Sequence, residues 1–138
     1  MKTITFYILL VILFAVSCKN SISTNENEQI IFHTKSNSYL TTDSIVVLIE
    51  NNTNSDFEIA LRCGLYLEMY YQKKENNAWS NYYWFSWMSL KCLSTTEKIK
   101  SYNIFQYLIP SDEITEKGTY RLVLANDTAI VSNSFEVK

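Results

Sequence analysis

Residues 44–54 read SIVVLIENNTN and give the clearest structural signal in the chain. Its aliphatic and β-branched residues, Ile45 to Ile49, favour a strand. The polar run that starts at Asn51 favours a turn, because Asn and Thr side chains hydrogen-bond to nearby backbone groups. This strand-then-turn pattern predicts an all-β domain.

Similar runs recur about every ten residues on either side of this stretch, which favours a sandwich or barrel. Residues 57–71 alternate apolar and polar positions, with Leu65 on the apolar side, and predict one long strand with a bend or bulge at Gly64. Residues 73–77 predict a hairpin turn. Further runs, which suggest strands of unequal clarity, lie at 29–34, 79–84, 97–108, 119–124 and 134–138.

Several short motifs follow in a characteristic order. Gly118-Thr119-Tyr120-Arg121 opens the penultimate run, and Phe135-Glu136-Val137 closes the chain. This layout resembles bacterial immunoglobulin-like domains of small exported proteins, over roughly residues 30–138. The resemblance implies a two-sheet antiparallel β-sandwich with an interaction or scaffold role, and it carries over no catalytic residue.

The N-terminal part of the sequence predicts an export signal. Lys2 precedes an uncharged apolar run, residues 4–16, that at 1.5 Å per residue would cover only about 20 Å as a helix, less than a bilayer core. Ala15-Val16-Ser17-Cys18 resembles the lipobox of bacterial lipoproteins. We therefore expect a signal peptide at 1–17 and lipidation of Cys18, although Cys18 as an ordinary thiol after an ordinary signal stays open.

Residues 18–29 are mostly polar and predict a flexible tether between the lipidated cysteine and the domain at 30–138. Lys19 follows the cysteine, and in enteric bacteria a residue other than Asp there favours the outer membrane. We expect a lipid-anchored protein of the cell envelope, in the outer membrane and facing the periplasm.

Charge excludes one class of partner. The chain has 138 residues with 12 Lys+Arg and 14 Asp+Glu. Because only Lys2 of these lies in the predicted signal, the mature chain carries 11 against 14, a formal charge of −3. Nucleic-acid binding needs a cluster of basic side chains, so we expect no nucleic acid partner.

Two cysteines remain besides Cys18. In an oxidising compartment Cys63 and Cys92 predict a disulfide, and the alternative is two buried thiols in the core. Neither has a second ligand at zinc-site spacing, so we expect no metal. His33 is the only histidine and belongs to no catalytic motif, and carboxylates such as Glu50, Glu58 and Glu68 are scattered. The sequence predicts a non-enzymatic protein without a cofactor.

The middle of the chain is unusually aromatic. Neighbouring residues on a strand point to opposite faces, so these rings cannot all lie in one core. The predicted ligand-binding residues are Trp79, Tyr82, Tyr83, Trp84 and Trp87. The alternative is that they cover the ends of a small sandwich.

Three functional hypotheses follow. The first is a membrane-tethered module that binds an envelope protein or another envelope component through these rings. The second is a carbohydrate-binding module, which requires two coplanar exposed rings at sugar spacing. The third is an inhibitor of a lysozyme or protease that uses residues 73–77 as a protruding loop.

Overall fold

The protein is an all-β sandwich, as the sequence predicts. The computed structural model describes residues 29–138, so the predicted signal peptide, Cys18 and almost all of the tether lie outside the described residues. Within 29–138 no helix has the length and hydropathy needed to cross a membrane.

Twelve strands follow one another in the described part of the chain, with one 3-10 helix, Ser86–Ser89, between β8 and β9. The strands are β1 (Ile30–Thr34), β2 (Ser38–Tyr39), β3 (Ile45–Asn51), β4 (Phe57–Arg62), β5 (Tyr66–Leu67), β6 (Met69–Glu75), β7 (Ala78–Trp79), β8 (Tyr83–Trp84), β9 (Ser94–Ile99), β10 (Ile104–Ile109), β11 (Gly118–Leu124) and β12 (Phe135–Val137).

The first layer is built on β3, which lies between β1 and β10 in antiparallel pairings. Its alternate residues Ile45, Val47 and Ile49 are buried, which gives β3 the period of two expected of a strand with one face on the core. The apolar run of residues 45–49 thus lies in the central strand of this layer.

The strands of the second layer have the order β2-β12-β11-β6-β7. Both β7 and β8 pair with the edge of β6 that faces away from β11. All its pairs are antiparallel except β2 with β12, which is parallel. Tyr120, Leu122 and Leu124 of β11 point into the core, where they join Phe135 of β12 and the apolar face of β3.

A side-chain amide organises the junction beyond β3. Asn51 is fully buried, and its amide nitrogen donates to the carbonyl oxygens of Ser55 at 2.8 Å and Ile99 at 2.9 Å, while its oxygen accepts from Thr53. These bonds hold together the turn after β3 and the connection between β9 and β10. Beyond this junction, β4 pairs with β9 and with β5 in a further small sheet.

Three sequence predictions of single strands are wrong. Residues 79–84 form two short strands, β7 and β8, with residues 80–82 outside both. Residues 57–71 form three strands, because the chain turns at Cys63 and Gly64, both at positive φ (56° and 73°), and β5 runs back along β4. Leu65, predicted to face inward, lies in that turn and is 71% exposed. Residues 97–108 also divide, into β9 and β10, around a turn in which Tyr102 has φ 58°.

Candidate functional site

The aromatic residues lie on one hairpin and the strand that follows it. Glu75 pairs with Ala78, and the two residues between them, Asn76 and Asn77, have φ of 50° and 65°. Positive φ at both central positions defines a type I′ turn, whose twist matches that of the flanking strands. The hairpin turn predicted at 73–77 is confirmed, but residues 73–75 belong to β6, so the tip has only two residues.

Side chains of β6 alternate between the two faces of the second layer. Tyr71 and Lys73 share the core face with Leu122 and Tyr120 opposite them, whereas Tyr70 and Gln72 point outward. The same rule divides the rings of β7 and β8, because directly paired residues in a sheet point to the same side.

The outward rings form what we call the outer aromatic surface: Tyr70, Trp79, Tyr82 and Trp84. Tyr82 packs against Tyr70 at 5.5 Å between ring centroids and 24° between planes, and Trp84 meets Tyr70 at 5.1 Å and 69°. Trp84 is 61% exposed and Tyr82 47%. Contact with Tyr70 and pairing to β6 hold these exposed rings in place.

Tyr83 lies on the other side of β8. It stacks on Tyr71 and lines a cavity of about 230 Å³ together with Lys73, Glu116 and Tyr120. The Lys73 ammonium lies 2.7 Å from Glu116 and 5.8 Å from the centre of the Tyr120 ring. The hydrogen bond between Lys73 and Glu116 raises the pKa of Lys73 and lowers the pKa of Glu116. This cavity therefore already contains the cation that its tyrosines and carboxylates would attract.

Trp87 is not a surface ring, and its prediction as a ligand-binding residue is wrong. It lies in the 3-10 helix, is 3% exposed, and stacks on Phe85 at 4.5 Å with 2° between planes. Its indole nitrogen donates to the carbonyl oxygen of Leu67 at 3.0 Å. The buried N–H group is satisfied within the protein, so Trp87 is a core residue.

The Cys63–Cys92 disulfide predicted from the sequence is present, with the two Cα atoms 5.3 Å apart. It closes the loop that contains β5 to β8 and the 3-10 helix. Beside it, the Arg62 guanidinium donates to the carbonyl oxygen of Met88 at 2.9 Å. The bridge and this hydrogen bond both hold the C-terminal end of the aromatic segment to the end of β4.

Trp79 contacts Arg121, a residue that the sequence marks as part of the Gly118–Arg121 motif but not as a site residue. The Arg121 guanidinium carbon lies 4.4 Å from the centre of the Trp79 ring, and Arg121 Nε donates to Gln72 Oε1 at 2.9 Å. Gln72 is 8% exposed, and its amide nitrogen donates to the carbonyl oxygen of Ser80 at 2.7 Å. The pairings of β6 with β11 and with β7 bring these residues together, so no local sequence signal reveals the group.

The other candidate residues are accounted for by local pairing. His33 Nε2 lies 2.8 Å from Glu50 Oε1 on the neighbouring strand. Glu58 pairs with Lys98 at 3.3 Å, and Glu68 lies 3.7 Å from Arg62. Among residues 29–138, no three His, Cys, Asp or Glu side chains come close enough to hold a metal ion.

The comparisons with known proteins give no family. No protein-family profile matches the chain, and no curated protein matches it. Among solved structures, a β-glucosidase from Erythrobacter marinus aligns with TM-score 0.45 and 8% identity, over 78% of this chain and 15% of that one. A mutant β-glucosidase from Listeria innocua in complex with laminaribiose aligns with TM-score 0.39 and 11% identity, over 80% of this chain and 16% of that one.

Proposed function

We propose that this protein is a non-enzymatic lipoprotein of the bacterial cell envelope that binds a protein partner through its outer aromatic surface. The lipid on Cys18 would hold it in the outer membrane, facing the periplasm. The observation that carries the binding role is the 61% exposure of Trp84, a large ring held in a fixed position.

The anchor follows from the sequence before the domain. Each buried methylene of an acyl chain adds about 0.8 kcal/mol of membrane affinity, so the two or three chains of a lipoprotein cysteine hold it stably. A flexible tether of about ten residues between Cys18 and Ile30 would place the sandwich about 15–20 Å from the bilayer. That distance leaves the second layer accessible to other envelope proteins.

The surface has the composition of a protein-binding hot spot. Trp, Tyr and Arg are the residues that contribute most to protein interfaces, and here Trp79, Trp84, Tyr82 and Arg121 belong to one face of one sheet. Because neighbouring rings and backbone pairing restrain these side chains, they would lose little conformational entropy when a partner binds.

Ring orientation favours a protein over a polysaccharide. Planes that meet Tyr70 at 24° and 69° differ from each other by at least the difference, 45°, so Tyr82 and Trp84 are not coplanar. A sugar-stacking platform needs two coplanar exposed rings, and these two residues do not provide one. The two-residue turn at Asn76 and Asn77 likewise offers no long loop for insertion into an enzyme cleft.

Site-specific photocrosslinking tests the binding role. A benzophenone amino acid would replace Trp84 in the full-length chain, expressed in its own host, and a control chain would carry it at Leu108, which is 53% exposed on β10 of the other layer. We expect a discrete protein adduct from position 84 and none from position 108. Identical adducts from both positions, no adduct from 84, or an adduct only with polysaccharide would overturn the proposal.

The anchor has its own test, the intact mass of the protein purified from host membranes. We expect a chain that starts at Cys18 and carries the added mass of two or three acyl groups, and a Cys18→Ser chain that leaves the membrane fraction. A chain without lipid that starts at another residue would contradict the anchor and leave the binding surface unaffected.

A further inference from the structure

Arg121 is fixed in place on the outer face of the sheet. Its Nε donates to Gln72 Oε1, and Gln72 is itself buried and bonded to Ser80. The Trp79 ring covers the guanidinium at 4.4 Å. Gln72 and Trp79 thus restrain a side chain that on an open strand face would move among many rotamers.

The hydrogen bond to Gln72 uses only the Nε edge of the Arg121 guanidinium. An arginine has five N–H donors, of which Nε supplies one, and no acceptor within residues 29–138 is bonded to the terminal nitrogens of Arg121. Four lysines elsewhere in the domain differ, since Lys73, Lys98, Lys100 and Lys138 each lie within 3.3 Å of a carboxylate. Among the ion pairs of residues 29–138, none includes Arg121.

The charge around Arg121 favours an anion. Besides Arg121 on β11, the outer face carries a second cation, Lys74 of β6, which pairs with Trp79. The nearest outward carboxylate by register is Glu136 of β12, which faces Thr119 and is paired with Lys138 at 3.2 Å. The face between β11 and β7 is therefore positive within an acidic protein.

We propose that Arg121 and Trp79 form a carboxylate-binding site that receives an Asp or Glu side chain of the protein partner. The two free terminal nitrogens of the Arg121 guanidinium match the two oxygens of a carboxylate. Because the guanidinium is already held in place, binding costs little of its conformational entropy. This inference rests on the proposed function and names the chemistry that the outer aromatic surface recognises beside its rings.

The site can be probed with small molecules on the full-length chain in detergent, labelled with ¹⁵N at tryptophan indoles. Trp79 reports on the site, and Trp87, whose indole N–H is bonded inside the core, is an internal reference. The probe is N-acetyl-glutamate N-methylamide, and its neutral control is the glutamine counterpart. We expect saturable movement of the Trp79 signal only with the carboxylate, with a dissociation constant on the order of millimolar.

Variants decide whether Arg121 is responsible. Arg121→Gln and Arg121→Lys should each weaken probe binding at least about tenfold, because a lysine keeps the charge but lacks the fork. Lys98→Gln, which removes a cation from β9, is the matched control and should change nothing. Equal binding of the neutral probe, or unchanged affinity in Arg121→Gln, would overturn the site.

Two results separate this inference from the proposed function. Glucuronate that moves the Trp79 signal at lower concentration than the glutamate probe would overturn the assignment to a protein side chain. A crosslink from position 84 that persists without any carboxylate response would refute the site and leave the binding role intact.

Discussion

Removal of the Cys63–Cys92 disulfide should lower the free energy of unfolding by several kcal/mol. The bridge joins residues 29 positions apart, and the closed loop carries all four rings of the outer aromatic surface. In the chain-entropy account, a closed loop of this length restricts the unfolded chain by about 3.6 kcal/mol at 25 °C. That is a large fraction of the roughly 5–15 kcal/mol by which domains are stable.

The assay is equilibrium unfolding in urea, followed by tryptophan fluorescence. We compare the oxidised protein with the Cys63→Ala/Cys92→Ala variant and with the reduced protein. For an m-value of about 2 kcal/mol/M, the midpoint should fall by about 1.8 M in both, with m little changed.

Reduced protein and double variant control for each other, because only the variant loses the two sulfur atoms. A fall of less than about 1 kcal/mol in both would refute the loop-closure reasoning, since the loop would then be restrained in the unfolded chain by something other than the bridge. A fall in the variant alone would assign the loss to side-chain packing.

Three further changes have defined outcomes. Asn51→Leu leaves buried carbonyl groups without a donor and should cost about 2–4 kcal/mol in urea unfolding, whereas a cost near zero would show that water replaces the amide. Asn77→Gly relieves a positive φ and should raise stability by about 0.5–1 kcal/mol, and any loss would argue against the type I′ turn. Burial raises the pKa of Tyr107 to about 12, above its value of 10 in the unfolded chain. The neutral form of Tyr107 therefore contributes its full stabilisation of the fold below pH 10, and this stabilisation is lost as the pH rises through about 12. The Tyr107→Phe variant should lose less stability than the unmodified protein over this pH range. Equal losses in the two proteins would contradict the raised pKa.

Strands bounded by turn residues could be predicted from the sequence, and strands joined through apolar turns could not. The strands predicted before the turn at Asn51 and after the turn at Gly118 are confirmed as β3 and β11, and each extends by one residue into its turn. In contrast, Cys63 and Leu65 continue an apolar alternation through a turn in which the chain reverses. A period-two pattern shows only which residues are apolar. It cannot reveal a turn through which apolar and polar residues continue to alternate.

The candidate site was partly predictable for a related reason. Exposure of Tyr82, Tyr83 and Trp84 follows from adjacent rings alternating between faces, as expected. Trp87 departs from that rule because the chain there is a 3-10 helix rather than a strand. Arg121 joins Trp79 across two intervening strand pairings, which depend on long-range register and not on local sequence.

The most direct test of the central claim is the recovery of the partner with two matched double variants. Tyr82→Ser/Trp84→Ser alters the outer aromatic surface, and Ile104→Ser/Leu108→Ser removes two exposed apolar residues, 63% and 53% exposed, from β10 of the other layer. Each full-length chain is affinity-purified from isotope-labelled host envelopes, and the amounts of co-purified proteins are compared with those recovered by the unmodified chain. We predict one protein whose recovery falls at least about tenfold with the first variant and does not change with the second. Equal recovery with both variants, or equal depletion with both, would contradict a binding role for the outer aromatic surface.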